Sequence, residues 1–265
     1  MTSQIDTLTG FTFAAAKFKA YVELLKVRLS LLIAFSCAFG YALATHGSVQ
    51  WDVMLMLTLG GFLMSGASSA INQIIERDFD KVMTRTMTRP LPSGRATVNE
   101  ATIVTLVCMA LSLIILWIYA NPLTVVLSIV SMILYSFIYT PLKRVGPIAV
   151  FVGAFPGAFP PLLGWVAATG TISHEALIIY GIQFIWQFPH FWAIAWVADE
   201  DYKKAGFKLL PSGGGKDMNT AIQIMIYTIC LIPLGLLPTQ FGITGITSAM
   251  VATICGVALR HKLFH

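Results

Sequence analysis

The stretch INQIIERDFDKVMTRTMTRPLPSG, residues 71–94, decides how the rest of the sequence is interpreted. It begins inside an apolar run and ends in a dense group of acidic and basic residues. About 20 apolar residues are enough for a helix to cross a hydrocarbon core about 30 Å thick. The stretch therefore predicts a membrane-spanning helix whose end carries a charged face.

The composition predicts the same environment for the whole chain. Of the 265 residues, 57% are hydrophobic and only 11% are charged, which is too few polar side chains to cover a soluble globule. Runs without Lys, Arg, Asp or Glu predict eight spans, approximately at 29–45, 53–75, 103–120, 123–139, 148–169, 177–197, 221–237 and 243–259. The predicted fold class is an all-α, polytopic transmembrane helical bundle.

The positions of the cations predict how the bundle is oriented. All seventeen Lys and Arg residues fall in the N-terminal segment, the second, fourth and sixth loops, and the C-terminal tail. The positive-inside rule makes that side cytoplasmic. The net charge of +5 therefore indicates a membrane-facing cytoplasmic side and no nucleic-acid partner. Residues 1–265 form one predicted domain, in which 1–28 is a cytoplasmic or interfacial segment next to membrane lipid.

The second span carries an ordered set of polar residues if its helix continues through the opening stretch. Residues four apart on a helix lie on one slowly drifting face, which here contains Ser68, Asn72, Glu76 and Asp80. A basic face at the same spacing contains Arg77, Lys81 and Arg85, and Arg89 follows just before Pro90 would end the helix.

These residue types suit a metal ion and a phosphate. Carboxylate and amide oxygens are ligands for a hard cation such as Mg²⁺, which takes its other ligands from water and phosphate. Arg and Lys complement the phosphate charge. The alternative is a solvated helix face on which acids and bases only pair with one another. An Asn-led acidic face at the mouth of a span favours the functional interpretation.

A second charged group follows the sixth span. Asp199, Glu200 and Asp201 precede Lys203 and Lys204. A basic pair, Lys143 and Arg144, ends the fourth span on the same predicted side. Two groups of acids and bases at corresponding span ends predict a site that closes on a doubly anionic group from two directions.

The motif N-x-x-x-[DE]-x-x-x-D, at Asn72, Glu76 and Asp80, with RTMTRPLPSG after it, resembles the first aspartate-rich motif of the UbiA superfamily of intramembrane prenyltransferases. The resemblance implies a bundle around a central cavity, in which a prenyl diphosphate binds through Mg²⁺. The implied metal ligands are Asn72, Glu76, Asp80, Asp199 and Asp201. The implied catalytic residues are Asn72, Glu76, Asp80, Asp201, Arg77 and Lys143. The implied diphosphate contacts are Lys81, Arg85, Arg89, Arg144, Lys203 and Lys204.

The sequence departs from the superfamily in two places. The second motif of the superfamily has two Asp residues four apart, whereas Asp199 is followed at that interval by Lys203. Asp201 is therefore the preferred ligand from this group. The superfamily commonly has nine spans, and a ninth would be expected after the eight predicted here.

Four further motifs resemble the haem-farnesylating subfamily: YTPLKR at 139–144, GAFPGAFPPLLGW at 153–165, WQFPHFWAIAW at 186–196 and DYKKAGFKLLP at 201–211. The resemblance implies that farnesyl diphosphate and haem B are substrates, that haem O is the product, and that the enzyme lies in the bacterial inner membrane. A later haem-modifying enzyme or a terminal oxidase is an implied partner. His190, beside Pro189 in the sixth span, is a tentative haem contact, or else a histidine bonded within its own kinked neighbourhood.

Other predictions concern the fifth span and the reaction. Gly153 and Gly157 predict close helix packing, and Pro156, Pro160 and Pro161 predict an interrupted helix beside the reaction chamber. Two other functions stay open. A prenyltransferase that acts on a quinone precursor would share the diphosphate site and use a phenolic acceptor. A transporter of anionic amphiphiles would place charges along a path to both faces.

Overall fold

The computed structural model describes the backbone of residues 2–212 and 215–264, and the side chains of residues 13–212 and 215–255. Its regular elements within these ranges are helices: α1 (Thr2–Leu24), α2 (Val27–Ala44), α3 (Trp51–Asp80), α4 (Val98–Tyr119), α5 (Pro122–Ile133), a π-helical segment (Leu134–Tyr139), α6 (Thr140–Leu142), α7 (Ile148–Thr169), α8 (His174–Val197), α9 (Asp199–Lys204), α10 (Met218–Leu234), α11 (Leu237–Gln240) and α12 (Ile246–Phe264). The prediction of an all-α bundle is confirmed.

Each of the eight predicted spans falls on a helix. In the described part of the chain, six helical segments are long and apolar enough to cross a membrane: Val27–Ala44, Trp51–Asp80, Val98–Tyr119, Pro122–Leu142, Ile148–Thr169 and Met218–Gln240. The helix α8 is long enough but carries many polar and aromatic side chains, among them Gln183, Gln187 and His190. In the last predicted span, the described apolar part is the shorter Ile246–Cys255.

The centre of the bundle is α7, whose prolines do not break it. The helix runs without interruption from Ile148 to Thr169 with all three prolines inside, so the predicted interruption is wrong. A Cβ atom built on Gly164 would overlap the backbone of α2 at Cys37, and one built on Gly40 would overlap Pro161. The backbones of α2 and α7 are therefore in contact. Packing against neighbouring helices compensates for the backbone hydrogen bonds that the prolines of α7 remove.

The predicted close packing at two other glycines of α7 is confirmed. A Cβ on Gly153 would lie 2.6 Å from Tyr139 Cδ2, and one on Gly157 would lie 2.5 Å from Gln187 Cδ. Gln187 Nε2 also donates to the carbonyl oxygen of Gly157 at 2.9 Å. These contacts join α7 to the π-helical segment and to α8.

The helix α3 ends earlier than predicted. It stops at Asp80, and residues 81–94 form successive turns, so Lys81 and Arg85 do not continue a helical face with Arg77. The hydroxyl of Thr86 donates to the carbonyl oxygen of Asp80 at 3.0 Å, which satisfies a helix-terminal carbonyl. We call residues 81–97 the α3–α4 loop. It ends where Thr97 and Glu100 form a capping box at the start of α4.

The N-terminal segment is a helix that packs on this loop. Ala20 and Leu24 of α1 pack with Leu91, Ala96 and Ala101. The ammonium Nζ of Lys17 lies 2.8 Å from Glu100 Oε1. Contact with the charged end of the bundle agrees with an interfacial position for α1, which stays a prediction.

Candidate functional site

A cavity of about 170 Å³ lies at the charged end of the bundle. Its walls come from the α1–α2 turn, α3, the α3–α4 loop, the π-helical segment, the end of α6, α8, α9 and the segment after α9. The lining residues are Lys26, Asn72, Glu76, Asp80, Met83, Arg85, Thr86, Arg89, Tyr135, Tyr139, Lys143, Phe191, Ile194, Tyr202, Phe207 and Leu209. Pockets for whole drug-sized ligands are about 300–1,000 Å³, so this cavity has the size of a polar head group.

The polar wall of the cavity is the predicted face of α3. Asn72, Glu76 and Asp80 are 2%, 5% and 0% exposed, and all three line the cavity. The amide nitrogen Nδ2 of Asn72 donates to Thr140 Oγ1 at 3.1 Å, so its carbonyl oxygen Oδ1 is not used in this contact. The prediction that these residues share one face is confirmed, and that face is buried.

Glu76 faces a buried cation. The ammonium Nζ of Lys143 lies 2.8 Å from Glu76 Oε1, and the two side chains are 12% and 6% exposed. This is an ion-pair distance, but no hydrogen bond of good geometry from any described residue reaches the buried Oε1 atom. Burial is the largest single influence and lowers the pKa of Lys143, but Glu76, Tyr135 and Tyr202 together outweigh it, so the pKa is raised. Lys143 is therefore charged at neutral pH.

Asp80 is paired with the α3–α4 loop. Its carboxylate oxygens Oδ1 and Oδ2 lie 2.9 and 2.8 Å from Arg89 NH1. This pair folds the loop back over the end of α3, so Arg89 reaches the cavity although the helix ends nine residues earlier in the sequence. Arg85 also lines the cavity. The loop therefore delivers two of the predicted diphosphate contacts.

Sequence reasoning missed Lys26 and two tyrosines. Lys26 lies in the turn between α1 and α2 with φ 45°, a conformation that is uncommon outside glycine. Burial, with the nearby charges of Arg89 and Lys143, lowers the pKa of Lys26 from 10.5 to about 7. Tyr135 and Tyr139 come from the π-helical segment, and such segments are frequent at functional sites. No spacing in the sequence indicated that the α1–α2 turn faces α3.

The other predicted cations lie outside the cavity lining. Arg77 and Lys81 pair with exposed Asp78, at 3.5 and 2.8 Å between their charged atoms. The guanidinium of Arg144 lies over the ring of Phe79, 5.0 Å from its centroid. Lys203 and Lys204 pair with Asp199 and Asp201. Their roles toward diphosphate stay predictions.

The acidic residues of α9 have partners of their own. Asp199 Oδ2 lies 2.8 Å from Lys203 Nζ. Asp201 accepts the backbone N–H groups of Thr84 and Arg85 at 3.0 Å each, on its two different oxygens. Neither Asp199 nor Asp201 belongs to the cavity lining. Their predicted role as metal ligands remains untested.

The α3 face fits a hard cation that keeps some of its own ligands. Within residues whose side chains are described, no three His, Cys, Asp or Glu side chains form a complete metal cage. The cavity instead offers two carboxylates and one amide, among them the buried Glu76 Oε1 atom that lacks a hydrogen bond. Mg²⁺ is commonly bound by one or two carboxylates with water and phosphate oxygens in the other positions.

His190 does not face the cavity. Its ring is exposed on the side of α8 and stacks on Trp186, with 4.4 Å between centroids and 16° between planes. Its neighbour Phe191 lines the cavity. The predicted haem contact therefore has to be made at the outer surface of α8, and it stays a prediction.

A second cavity, of about 320 Å³, lies at the opposite end of the bundle. His46, Trp165 and Glu175 line it, together with residues near Phe241. The two cavities share no lining residue. The structure therefore does not show the continuous charged path between faces that the transporter alternative predicts.

A profile of the UbiA prenyltransferase family matches residues 33–265. A protein of Cytophaga hutchinsonii named Protoheme IX farnesyltransferase is 53% identical over 243 residues, which cover 92% of this chain and 85% of that protein. A protein of Flavobacterium psychrophilum with the same name is 48% identical over 230 residues, covering 86% of this chain and 76% of that protein.

Solved structures share the fold. A structure described for digeranylgeranylglyceryl phosphate synthase has a TM-score of 0.73 at 20% identity, covering 93% of this chain and 86% of that one. A UbiA homolog from Archaeoglobus fulgidus bound to DMAPP and Mg²⁺ has a TM-score of 0.70 at 17% identity, covering 92% and 85%. At such identities these likenesses establish the fold alone.

Proposed function

The chain belongs to the UbiA prenyltransferase family, and from this premise we propose that it transfers farnesyl from farnesyl diphosphate to a vinyl group of protohaem IX (haem B). Water is added in the same reaction, and haem O and diphosphate are the products. The observation that carries the proposal is the buried α3 face of Asn72, Glu76 and Asp80, opposite the cations Lys143, Arg89 and Lys26.

The acceptor is assigned from the relatives. Proteins that are 53% and 48% identical to this chain, over most of both lengths, bear the name Protoheme IX farnesyltransferase. This favours haem over the phenolic ring of a quinone precursor. It also favours transfer over transport of an anionic amphiphile.

The α3 face is proposed to hold the diphosphate together with Mg²⁺. Oxygen atoms of Asn72, Glu76 and Asp80 would be the protein ligands, and the Mg²⁺ would supply Lewis-acid stabilisation of the departing diphosphate. The structure of the Archaeoglobus fulgidus homolog contains Mg²⁺ and DMAPP, which supports this site class for the shared fold.

The cations on the other walls stabilise the leaving group. When the allylic carbon–oxygen bond breaks, its electron pair leaves with the diphosphate, and negative charge develops on those oxygens. Lys143, Arg89 and Arg85 line the same cavity and are positioned before the reaction begins. Fixed charges of this kind lower the barrier without the cost of reorganising solvent. No nucleophilic side chain is required.

The steps after the carbon–oxygen bond breaks depend more on the shape of the cavity than on its charges. A vinyl carbon of haem forms a bond to the farnesyl carbon, and the adjacent vinyl carbon becomes cationic. Water adds its oxygen there and releases a proton, which leaves a hydroxyethylfarnesyl group. Tyr135, Tyr139, Phe191 and Phe207 form an aromatic wall beside the polar face and exclude other water from the reacting carbon.

The site is proposed to lie on the cytoplasmic side of a bacterial inner membrane. The described Lys and Arg side chains lie at the end of the bundle that carries the first cavity, and the loops at 45–50, 120–121, 170–173 and 235–245 contain none. The positive-inside rule places the charged end in the cytoplasm, where farnesyl diphosphate would enter. A later haem-modifying enzyme or a terminal oxidase is a proposed partner there.

The test is direct assay of the reaction. Purified protein in lipid is incubated with haem B, farnesyl diphosphate and Mg²⁺, and haem O is sought by mass spectrometry as haem B plus one farnesyl and one hydroxyl group. A phenolic quinone precursor is the competing acceptor. Haem O formed only with Mg²⁺ supports the proposal, whereas prenylation of the phenol alone rejects haem as the acceptor.

A further inference from the structure

We propose that Asp201 is a positioning residue that holds the α3–α4 loop over the cavity, and that it is not a ligand of the metal. The proposal rests on the proposed function only through the role of the cavity. The partners of the Asp201 carboxylate are backbone N–H groups of the α3–α4 loop.

Both oxygens of the Asp201 carboxylate are used by the loop. Oδ1 accepts the N–H of Thr84 at 3.0 Å, and Oδ2 accepts the N–H of Arg85 at 3.0 Å. Hydrogen bonds from N–H groups to a carboxylate are stronger than those to a neutral acceptor.

The α3–α4 loop has no helical hydrogen bonds from the N–H groups of Thr84 and Arg85. The helix α3 ends at Asp80, so the N–H groups of Thr84 and Arg85 have no partner within a helix. Thr84 and Arg85 are exposed, so without Asp201 their N–H groups would bond to water and the loop would have fewer contacts holding it in place. Asp201 supplies both missing acceptors, and this is a structural reason for an acid at this position that needs no metal.

Neighbouring contacts make α9 and the loop one unit. Lys204 Nζ donates to Thr84 Oγ1 at 3.0 Å and lies 3.3 Å from Asp201 Oδ1. The side chain of Met83 is buried with Ala205 and Phe207. These contacts define a clasp, made of Asp201 and Lys204 on one side and Thr84 and Arg85 on the other.

The clasp acts on the cavity through two arginines. Arg85 is one of the clasped residues and lines the cavity, as does Arg89 four residues later. The N–H of Arg89 donates to the carbonyl oxygen of Thr86 at 2.9 Å, so Arg89 belongs to the turn that directly follows Arg85. Asp201 itself does not line the cavity. Its loss should therefore move cations that face the diphosphate, and leave the metal ligands of α3 in place.

The test uses the full chain in lipid with the variant Asp201→Asn. Asn keeps the shape but presents an amide N–H₂ to one of the two backbone donors. The matched control is Glu200→Gln, which removes the same charge from an exposed neighbour on α9. Two quantities are measured: the rate of tryptic cleavage after Arg85, and the concentrations of farnesyl diphosphate and Mg²⁺ that give half-maximal activity.

The expected result is faster cleavage after Arg85, by about tenfold, because one charge-assisted hydrogen bond is lost. The KM for farnesyl diphosphate should rise by a similar factor, and the Mg²⁺ requirement should stay within about twofold of the wild type, because the α3 ligands are intact. Cleavage after Lys208 should not change, which separates local opening from global unfolding. Glu200→Gln should match the wild type in every measurement.

Two results would overturn the proposal. A large increase in the Mg²⁺ requirement of Asp201→Asn would make Asp201 a metal ligand, whatever the cleavage rate. Cleavage after Arg85 equal to that of Glu200→Gln would show that the loop does not depend on Asp201. The cleavage rate requires no catalysis, so it tests the clasp even if the wild type fails to form haem O and the proposed function is wrong.

Discussion

The acidic residues of α3 and α9 are alike in sequence and differ in what surrounds them. On α3, Asn72, Glu76 and Asp80 are buried and line one cavity. On α9, Asp199 and Asp201 lie outside that lining, paired with a lysine and with backbone N–H groups. The long helix α3 carries its acids into the cavity at a fixed spacing, whereas the six-residue α9 contributes Tyr202 to the cavity and none of its acids.

This difference separates two uses of a carboxylate at a charged site. The α3 carboxylates face cations across a cavity, where a diphosphate can take the place of the protein's own partners. Both oxygens of the Asp201 carboxylate accept backbone N–H groups of the α3–α4 loop, outside the cavity lining. Motif spacing alone does not distinguish these cases, because both place acids beside bases at the end of a span.

Among the variants that test the difference between α3 and α9, Asp80→Asn should have the largest effect on activity. Asp80 is fully buried and pairs with Arg89 through both oxygens, so the change removes a proposed ligand and releases a cation. Removing one group that stabilises transition-state charge typically costs about 10²–10³ in rate, and we expect a loss of at least this size in haem O formation. The control is Asp78→Asn, whose side chain is 63% exposed on the same helix and should be active. Equal activity of the two variants would contradict the account.

Lys143→Gln should have the next largest effect. The change leaves Glu76 buried without its cation, and breaking one partner of a buried charge pair costs about 2–5 kcal/mol. We expect weaker binding of farnesyl diphosphate and a lower midpoint of thermal unfolding in detergent. Lys208→Gln, at an exposed lysine of the same charged end, is the control. A Lys143→Gln protein with unchanged KM and unfolding midpoint would show that this pair is not part of the site.

Lys26 should give the site a dependence on pH near neutrality. Its pKa of about 7 lies below the ordinary 10.5, so its positive charge is present below pH 7 and is lost as the pH rises. The KM for farnesyl diphosphate should therefore increase by about threefold to tenfold between about pH 6 and pH 8.5. The sign for stability is opposite, because the neutral form avoids the cost of burying a charge and the folded state gains stability as pH rises from 7 toward 10.5.

The control for this prediction is Lys26→Arg, which stays charged over the whole range. Its KM should change little with pH. If wild type and Lys26→Arg showed the same pH profile, the dependence would have to come from the diphosphate or another group.

Asp199→Asn should have the smallest effect. Asp199 is buried, but the side chain of its partner Lys203 is 62% exposed, so water screens the pair and its loss should cost about 0.5 kcal/mol, or roughly a factor of two. We expect activity and Mg²⁺ requirement within about threefold of the wild type. A tenfold or greater increase in the Mg²⁺ requirement would instead support the metal role that the sequence predicts.

The sequence predicts the positions of the helices better than the residues at which they end. Hydrophobic runs locate helices at all eight predicted positions, of which six are long and apolar enough to span within the described residues. The four-residue spacing locates the buried face of α3, because it depends on helical periodicity. The continuity of α7 through three prolines was not predictable from one segment. It depends on α2 and α8 packing against the helix at positions that only the fold brings together.

The candidate site shows the same limit of prediction from sequence, because its contacts join distant parts of the chain. The sequence predicts a later end for α3 because Arg77, Lys81 and Arg85 follow the helical spacing, whereas Asp201 and Thr86 stabilise turns there. Nothing in the sequence indicates that Lys26 belongs to the site, since a lysine before a span is the ordinary pattern of a cytoplasmic flank. Pairing across more than 100 residues, such as Arg85 with Asp201, cannot be read from local spacing.

The measurement that tests the central claim most directly is binding of Mn²⁺, as a paramagnetic substitute for Mg²⁺, by electron paramagnetic resonance. Protein in lipid is titrated with Mn²⁺ in the presence of a non-reactive thio analogue of farnesyl diphosphate, for wild type, Asp80→Asn and Asp201→Asn. The account predicts that Asp80→Asn loses the bound signal and that Asp201→Asn keeps it. Loss of the signal in Asp201→Asn with retention in Asp80→Asn would contradict the assignment of the metal-diphosphate site to α3.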